Sequence, residues 1–149
     1  MSETKFIAVL RVSTTQQGKE DKTGLPSQKY EINAWLKANG HKPAAREIID
    51  VGISAADLMN LRFGNLAKEI ARIRKQKTKP GSYALCFANS ARLSRGVILN
   101  ALNEFTGLLI SGIDIVFVSR NLHISQNDDE QAKQRKLWEA MMSFSSKIY

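Results

Sequence analysis

The sequence predicts an α/β fold: a mainly parallel sheet of four to five strands with helices on both faces. Three observations predict it. Short apolar runs without a polar alternation recur along the chain, as in strands buried on both sides. Between them lie segments with apolar residues at helical spacing. Gly40, Pro80-Gly81 and Gly112 punctuate the boundaries. Alternation of this kind puts crossover helices on both faces of a parallel sheet.

The elements follow in order. Lys5 to Val12, with Phe6-Ile7-Ala8-Val9-Leu10 at its centre, reads as a buried strand. Residues 13–24 are polar and read as a loop. A helix is expected from a Ser27 cap to about Asn39, with Ile32, Trp35 and Leu36 inward and Gly40 as its stop. Ala44 to Asp50 reads as a second strand, and Val51 to Leu61 as a loop. Leu66, Ile70 and Ile73 mark the inner stripe of a basic helix. Tyr83 to Ala88 is the third strand. Ile98, Leu102, Phe105 and Leu109 mark the next helix, and Ile113 to Val118 the fourth strand. A last helix begins near Gln131. Its stripe of Leu137, Met141, Phe144 and Ile148, flanked by Trp138 and Met142, is rich in the residues that form sticky surfaces, which favours contact with another subunit.

Composition narrows the class. The chain has 149 residues, 43% hydrophobic and 24% charged, enough for one domain with a core. The longest apolar run is too short to cross a bilayer, and the N-terminus lacks the apolar core of a signal peptide. The single cysteine, Cys86, forms no internal disulfide, so a reducing cytoplasm is expected. The net charge of +8 points to a polyanionic partner. Residues 61–80 concentrate it, with Arg62, Lys68, Arg72, Arg74, Lys75, Lys77 and Lys79 against Glu69 alone. No bulky aromatic edge accompanies them, which disfavours a membrane.

Parallel sheets bind ligands beyond the C-terminal ends of their strands. Arg11 and Ser13 follow strand one, Arg62 follows strand two, and Arg92 and Arg95 follow strand three. Arg92 and Arg95, three apart near a helix start, are expected on one helical face. Guanidinium groups match phosphate oxygens through paired hydrogen bonds. The set reads as a phosphate site containing a hydroxyl nucleophile. Other chemistries lack support. His41 and His123 are isolated and have no metal-ligand spacing with Cys86, which lies mid-strand as a buried thiol. Asp128-Asp129-Glu130 suits a helix start. Of the carboxylates, only Asp50 is placed for a two-metal site, and neither glycine-rich nucleotide motif occurs.

Four ordered motifs resemble the catalytic domain of the serine recombinases, the resolvase and invertase family. Leu10-Arg11-Val12-Ser13-Thr14-Thr15-Gln16-Gln17 is similar to the family's Y-x-R-V-S-T-x-x-Q opening. Gly24-Leu25-Pro26-Ser27-Gln28 resembles S-L-x-x-Q, Asp50-Val51-Gly52-Ile53-Ser54 resembles D-x-G-x-S-G, and Ala91-Arg92-Leu93-Ser94-Arg95 resembles D-R-L-x-R. The resemblance implies a resolvase-like fold and a nucleophile, Ser13, that joins the 5′-phosphate of a cut DNA strand. Arg11, Arg92 and Arg95 would hold the phosphate with Arg62 nearby, supported by Gln17, Gln28 and Asp50. No cofactor or metal is implied. The implied partners are double-stranded DNA and further copies, as a homodimer or tetramer through the C-terminal helix. The implied location is the cytoplasm, at a bacterial or archaeal nucleoid. Residues 1–125 would be the catalytic domain and 126–149 the start of a long dimerisation helix, with the DNA-binding domain absent from this chain. Two departures stand out: no tyrosine occupies the family position near Val9, and Ala91 replaces the family aspartate. Two other readings remain: a catalytically impaired recombinase-like subunit, and a flavodoxin-like binder of a small ligand.

Overall fold

The computed structural model describes residues 3–12, 24–88 and 93–145. Its elements run β1 (Lys5–Val12), α1 (Gly24–Ala38), β2 (Arg46–Val51), α2 (Ala55–Met59), α3 (Gly64–Gln76), β3 (Tyr83–Phe87), α4 (Arg95–Ile110), β4 (Asp114–Phe117), a 3₁₀ turn (Val118–Arg120), β5 (Leu122–Ile124) and α5 (Glu130–Ser143). One sheet has the order β2-β1-β3-β4-β5. The first four strands are parallel, and β5 returns antiparallel to β4. The α/β architecture expected from the sequence is therefore present.

The pleat explains why β1 reads as a continuous apolar run. Phe6, Ala8 and Leu10 face one side, where they meet Ile32 and Leu36 of α1. Ile7 and Val9 face the other, in a larger core with α2, α3, α4 and α5. Strand β3 splits likewise. Its small Ala84 and Cys86 lie on the α1 side, and Leu85 and Phe87 fill the deeper side. Burial pushes the Cys86 thiol up to about 12, so it behaves as a small apolar group.

Several local expectations shift. The first helix starts at Gly24, ahead of Ser27, because Pro26 in a first turn needs no N–H partner. Gly40 closes that helix, with His41 N donating to Leu36 O at 2.8 Å. The second strand begins at Arg46 and extends to Val51. The segment read as a loop after it contains α2, whose cap Ser54 accepts from Asp57 N at 3.1 Å. His41 and His123 are neighbours, not isolated. Their ring centroids lie 6.3 Å apart, against Phe6 and Trp35. The β4–β5 pairing, which no local signal announces, brings His123 there.

The last helix also departs from expectation. Leu137, Met141 and Phe144 are buried in the chain's own core, and Phe144 packs edge-on to Phe117 at 5.3 Å. The described part of the stripe is thus internal packing. Trp138 and Met142 beside it remain exposed, at 53% and 41%, and Ile148 lies outside the described residues.

Candidate active site

The β1–β3 pairing ends at Val9↔Phe87, while β1 stays paired with β2 as far as Val12↔Val51. Arg11 therefore leaves backbone groups open on the β3 side. Gln28 of α1 fills the gap with its side-chain amide. Arg11 N donates to Gln28 Oε1 at 3.2 Å, and Gln28 Nε2 donates to Arg11 O at 2.9 Å. The amide stands in for the missing strand and fixes where Arg11 begins.

The Arg11 side chain is half-buried and faces the deep side of the sheet. Its Nη1 donates to Ile53 O at 3.2 Å, and its buried Nε has no hydrogen-bond partner among the described residues. Burial lowers its pKa from the ordinary arginine value, yet a guanidinium remains charged. It lines a cleft of about 360 Å³ with Val9, Met59, Phe87, Leu93 and Phe144 among its other walls. Apart from this cation the described residues lining the cleft are apolar.

Asp50 stands beside Arg11 in the β1–β2 register. Its carboxylate is committed to the fold: Oδ1 accepts from Asn65 N at 2.7 Å and Oδ2 from Leu66 N at 3.1 Å. It therefore caps the open N–H groups of α3, whose own cap position, Phe63, offers no side-chain acceptor. This holds the turn 50–54, and with it the Ile53 carbonyl, against Arg11.

Arg95 is the exposed first residue of α4, behind the cap Ser94, whose Oγ accepts from Val97 N. Leu93, two residues earlier, lines the Arg11 cleft. The helix starts at Arg95, and the expectation that Arg92 shares a face with it falls on a residue outside the described ones. Arg62 is engaged elsewhere. Its Nε donates to Glu104 Oε2 at 2.9 Å, and that bond and the carboxylate charge raise its pKa. Glu104 lies nine residues along α4 from Arg95, about 13 Å at the helical rise. Arg62 is not among the residues lining the cleft. The structure thus brings Arg11, Gln28 and Asp50 together, with Arg95 at the next strand end. Ser13, Gln17 and Arg92 lie outside the described residues.

Sequence reasoning did not identify the apolar walls from α2, the Ile53 carbonyl, or Phe144. The α2 signal was present as Ser54-Ala55-Ala56-Asp57, a serine followed three residues later by an acid. Phe144 reaches the site because Leu93 N donates to Phe144 O at 2.7 Å, a long-range bond with no local signature.

An open, mostly parallel sheet with a cleft at the C-terminal ends of its strands defines the class of α/β proteins that place their ligand sites at that edge. Within the class, a family model described as "Resolvase, N terminal domain" matches residues 6–149. The chain belongs to that family, the serine recombinases, which act on DNA. No curated protein matches the chain. Among the described residues no helix is long and apolar enough to cross a membrane.

Proposed function

We propose that this chain is the catalytic domain of a site-specific DNA recombinase that cleaves and rejoins strands through a serine-linked 5′-phosphate. The observation that carries the reading is Arg11. It is a partly buried guanidinium, held by Ile53 O at its side chain and by Gln28 at its backbone, in a cleft at the C-terminal edge of the sheet. Such a donor suits a phosphodiester oxygen, and fixed cations stabilise the charge that gathers there during attack without reorganising.

In this mechanism the Ser13 oxygen attacks phosphorus. A serine–phosphate bond forms as the bond to the 3′ oxygen breaks, and the 3′ oxygen leaves as a hydroxyl. The serine proton passes to a base, and the leaving oxygen takes a proton from an acid. Arg11, Arg92 and Arg95 hold the non-bridging oxygens. Gln17 and Gln28 support them, and Arg62 joins only by exchanging Glu104 for phosphate. Reversal by a new 3′-hydroxyl rejoins the strand, because the covalent ester retains the energy of the broken linkage. The catalytic unit includes helix α5, since Phe144 lines the Arg11 cleft. Copies assemble as a dimer or tetramer through helix α5, where exposed Trp138 and Met142 offer apolar surface.

A second reading rests on Ala91. An alanine neither donates a proton nor orients an arginine, so the chain would be a recombinase-like DNA-binding or regulatory subunit with impaired cleavage. The two readings part on one experiment, cleavage of duplex recombination-site DNA by the wild type and by Ala91→Asp in the presence of a chelator. A proficient enzyme cleaves as the wild type and changes less than about tenfold in the variant, well below the 10²–10⁴ of a general acid. An inactive wild type revived by the substitution establishes the second reading. Absence of cleavage in both removes the first.

A further inference from the structure

The basic run of residues 61–80 is not one patch. Helix α3 divides it. Arg62 precedes the helix near the C-terminal strand edge and is paired with Glu104. Arg72, and Arg46 from β2, are paired with Glu69. Arg74, Lys75, Lys77 and Lys79 lie at the other end of α3, a helix of 13 residues and about 20 Å. They form no ion pair among the described residues. All four are exposed, at the edge of the sheet where β3 and β4 begin, opposite the Arg11 cleft.

This basic end has a defined shape. An open cleft of about 260 Å³ lies there, lined by Arg74, Lys77, Thr78, Tyr83 and Ser111 with the neighbouring Gly112 turn. Arg74 is held in place. Its Nε donates to Ser111 Oγ at 2.9 Å, and Ser111 Oγ donates to Gly107 O at 3.0 Å. One guanidinium donor is used, and the rest remain available. Lys77 sits at the helix C-cap with φ 51°, a left-handed conformation that glycine adopts without cost. A favourable interaction with the helix dipole explains a cation within the last turn, such as Arg74 or Lys75. It does not explain a strained lysine beyond that turn, or Lys79 two residues later.

We infer that this edge is a second docking surface for the sugar-phosphate backbone of duplex DNA. It would hold a segment other than the one that enters the Arg11 cleft. The inference rests on the DNA reading above. The two basic sites lie at opposite ends of the strands, and β1 alone spans about 26 Å. A straight duplex lying across one edge does not reach the other. Several exposed cations without an ion-pair partner among the described residues, beside an open cleft with no apolar wedge or base-reading helix end, suit phosphate contacts that carry no sequence preference.

The test uses the full chain and the triple variant Lys75→Glu, Lys77→Glu, Lys79→Glu, with the corresponding triple arginine variant as the charge-retaining control. Unchanged melting temperatures establish that both fold. Binding of a duplex of unrelated sequence, about 30 base pairs at about 50 mM salt, is expected to weaken at least tenfold in the glutamate variant, and the log–log salt slope to lose about 2–3. The arginine variant binds like the parent. A duplex fixed to a bead is expected to capture a second, labelled duplex through the parent and not through the glutamate variant. If the glutamate variant binds and bridges like the parent, the surface is misassigned while the DNA reading stands. If no protein binds duplex at all, both fall. If phosphatidylserine vesicles are bound through these lysines and duplex is not, the partner is a membrane and the inference is overturned.

Discussion

Arg11→Ala is expected to slow covalent capture of DNA by about 10³-fold or more, the scale of a single positioned arginine in phosphoryl transfer. Among the described residues Arg11 is the one basic side chain lining the cleft, and Nη1 is its one hydrogen-bonded guanidinium nitrogen, which leaves donors for the phosphate. Alanine removes those donors and the bond to Ile53 O, which costs the fold only about 1 kcal/mol. The melting temperature is therefore expected to move by a few degrees while the rate collapses. Arg11→Lys restores charge without the planar fork and is expected to recover a small part of the rate. Duplex affinity, carried by many contacts, changes far less than the rate in both variants. A single-turnover assay alongside a binding titration checks the split. Equal losses in rate and affinity would make Arg11 an ordinary DNA contact.

Gly64→Ala is expected to be the most damaging single methyl group in the fold. Gly64 has φ 71°, and a Cβ there would lie 2.8 Å from Asp50 Cγ and 2.8 Å from Ile53 Cδ1. The left-handed conformation costs alanine about 1–2 kcal/mol. Relief of the overlap swings the Asp50 carboxylate away from Asn65 N and Leu66 N, leaving the start of α3 uncapped. Charge-assisted bonds of this kind contribute about 1.5–3 kcal/mol each. The expected total is at least about 3 kcal/mol, or roughly 10 °C in melting temperature for a chain of this size. Gly52→Ala is the control: it has φ 82° with nothing within 4 Å of the added carbon, so only the conformational cost applies. Thermal melts of the two variants give the comparison. Similar losses would show that the contact with Asp50 contributes nothing. Because the same turn carries the Ile53 carbonyl to Arg11, Gly64→Ala is also expected to lower cleavage at temperatures where it remains folded.

The strands and main helices were legible because burial on both faces writes itself as apolar runs, and burial on one face as a stripe. Helix α2 was not, since five residues are too few for a period, and only the serine–aspartate spacing marked it. The three residues of β5 leave no pattern either. At the site, the residue types and strand-end positions of Arg11 and Asp50 could be read, but their partners could not. Arg62 meets Glu104 across 42 positions, and Gln28 meets Arg11 across 17. Such pairings come from the topology of the sheet, which periodicity does not encode. The last helix shows the same boundary. A stripe at 137, 141 and 144 announces a buried face without saying what buries it, and the chain's own core does.

The central claim is that the Ser13 hydroxyl becomes esterified to DNA during cleavage, and mass mapping of the trapped complex tests it most directly. Recombination-site duplex is incubated with the wild-type protein, quenched during strand exchange, and digested with nuclease and protease. The peptide containing Ser13 is expected to carry the mass of a 5′-linked nucleotide, with the 3′ ends of the cut DNA free. Ser13→Ala is expected to yield no adduct. A nucleotide on any other side chain, cleavage that leaves no protein attached, or an adduct that persists in Ser13→Ala would contradict the account.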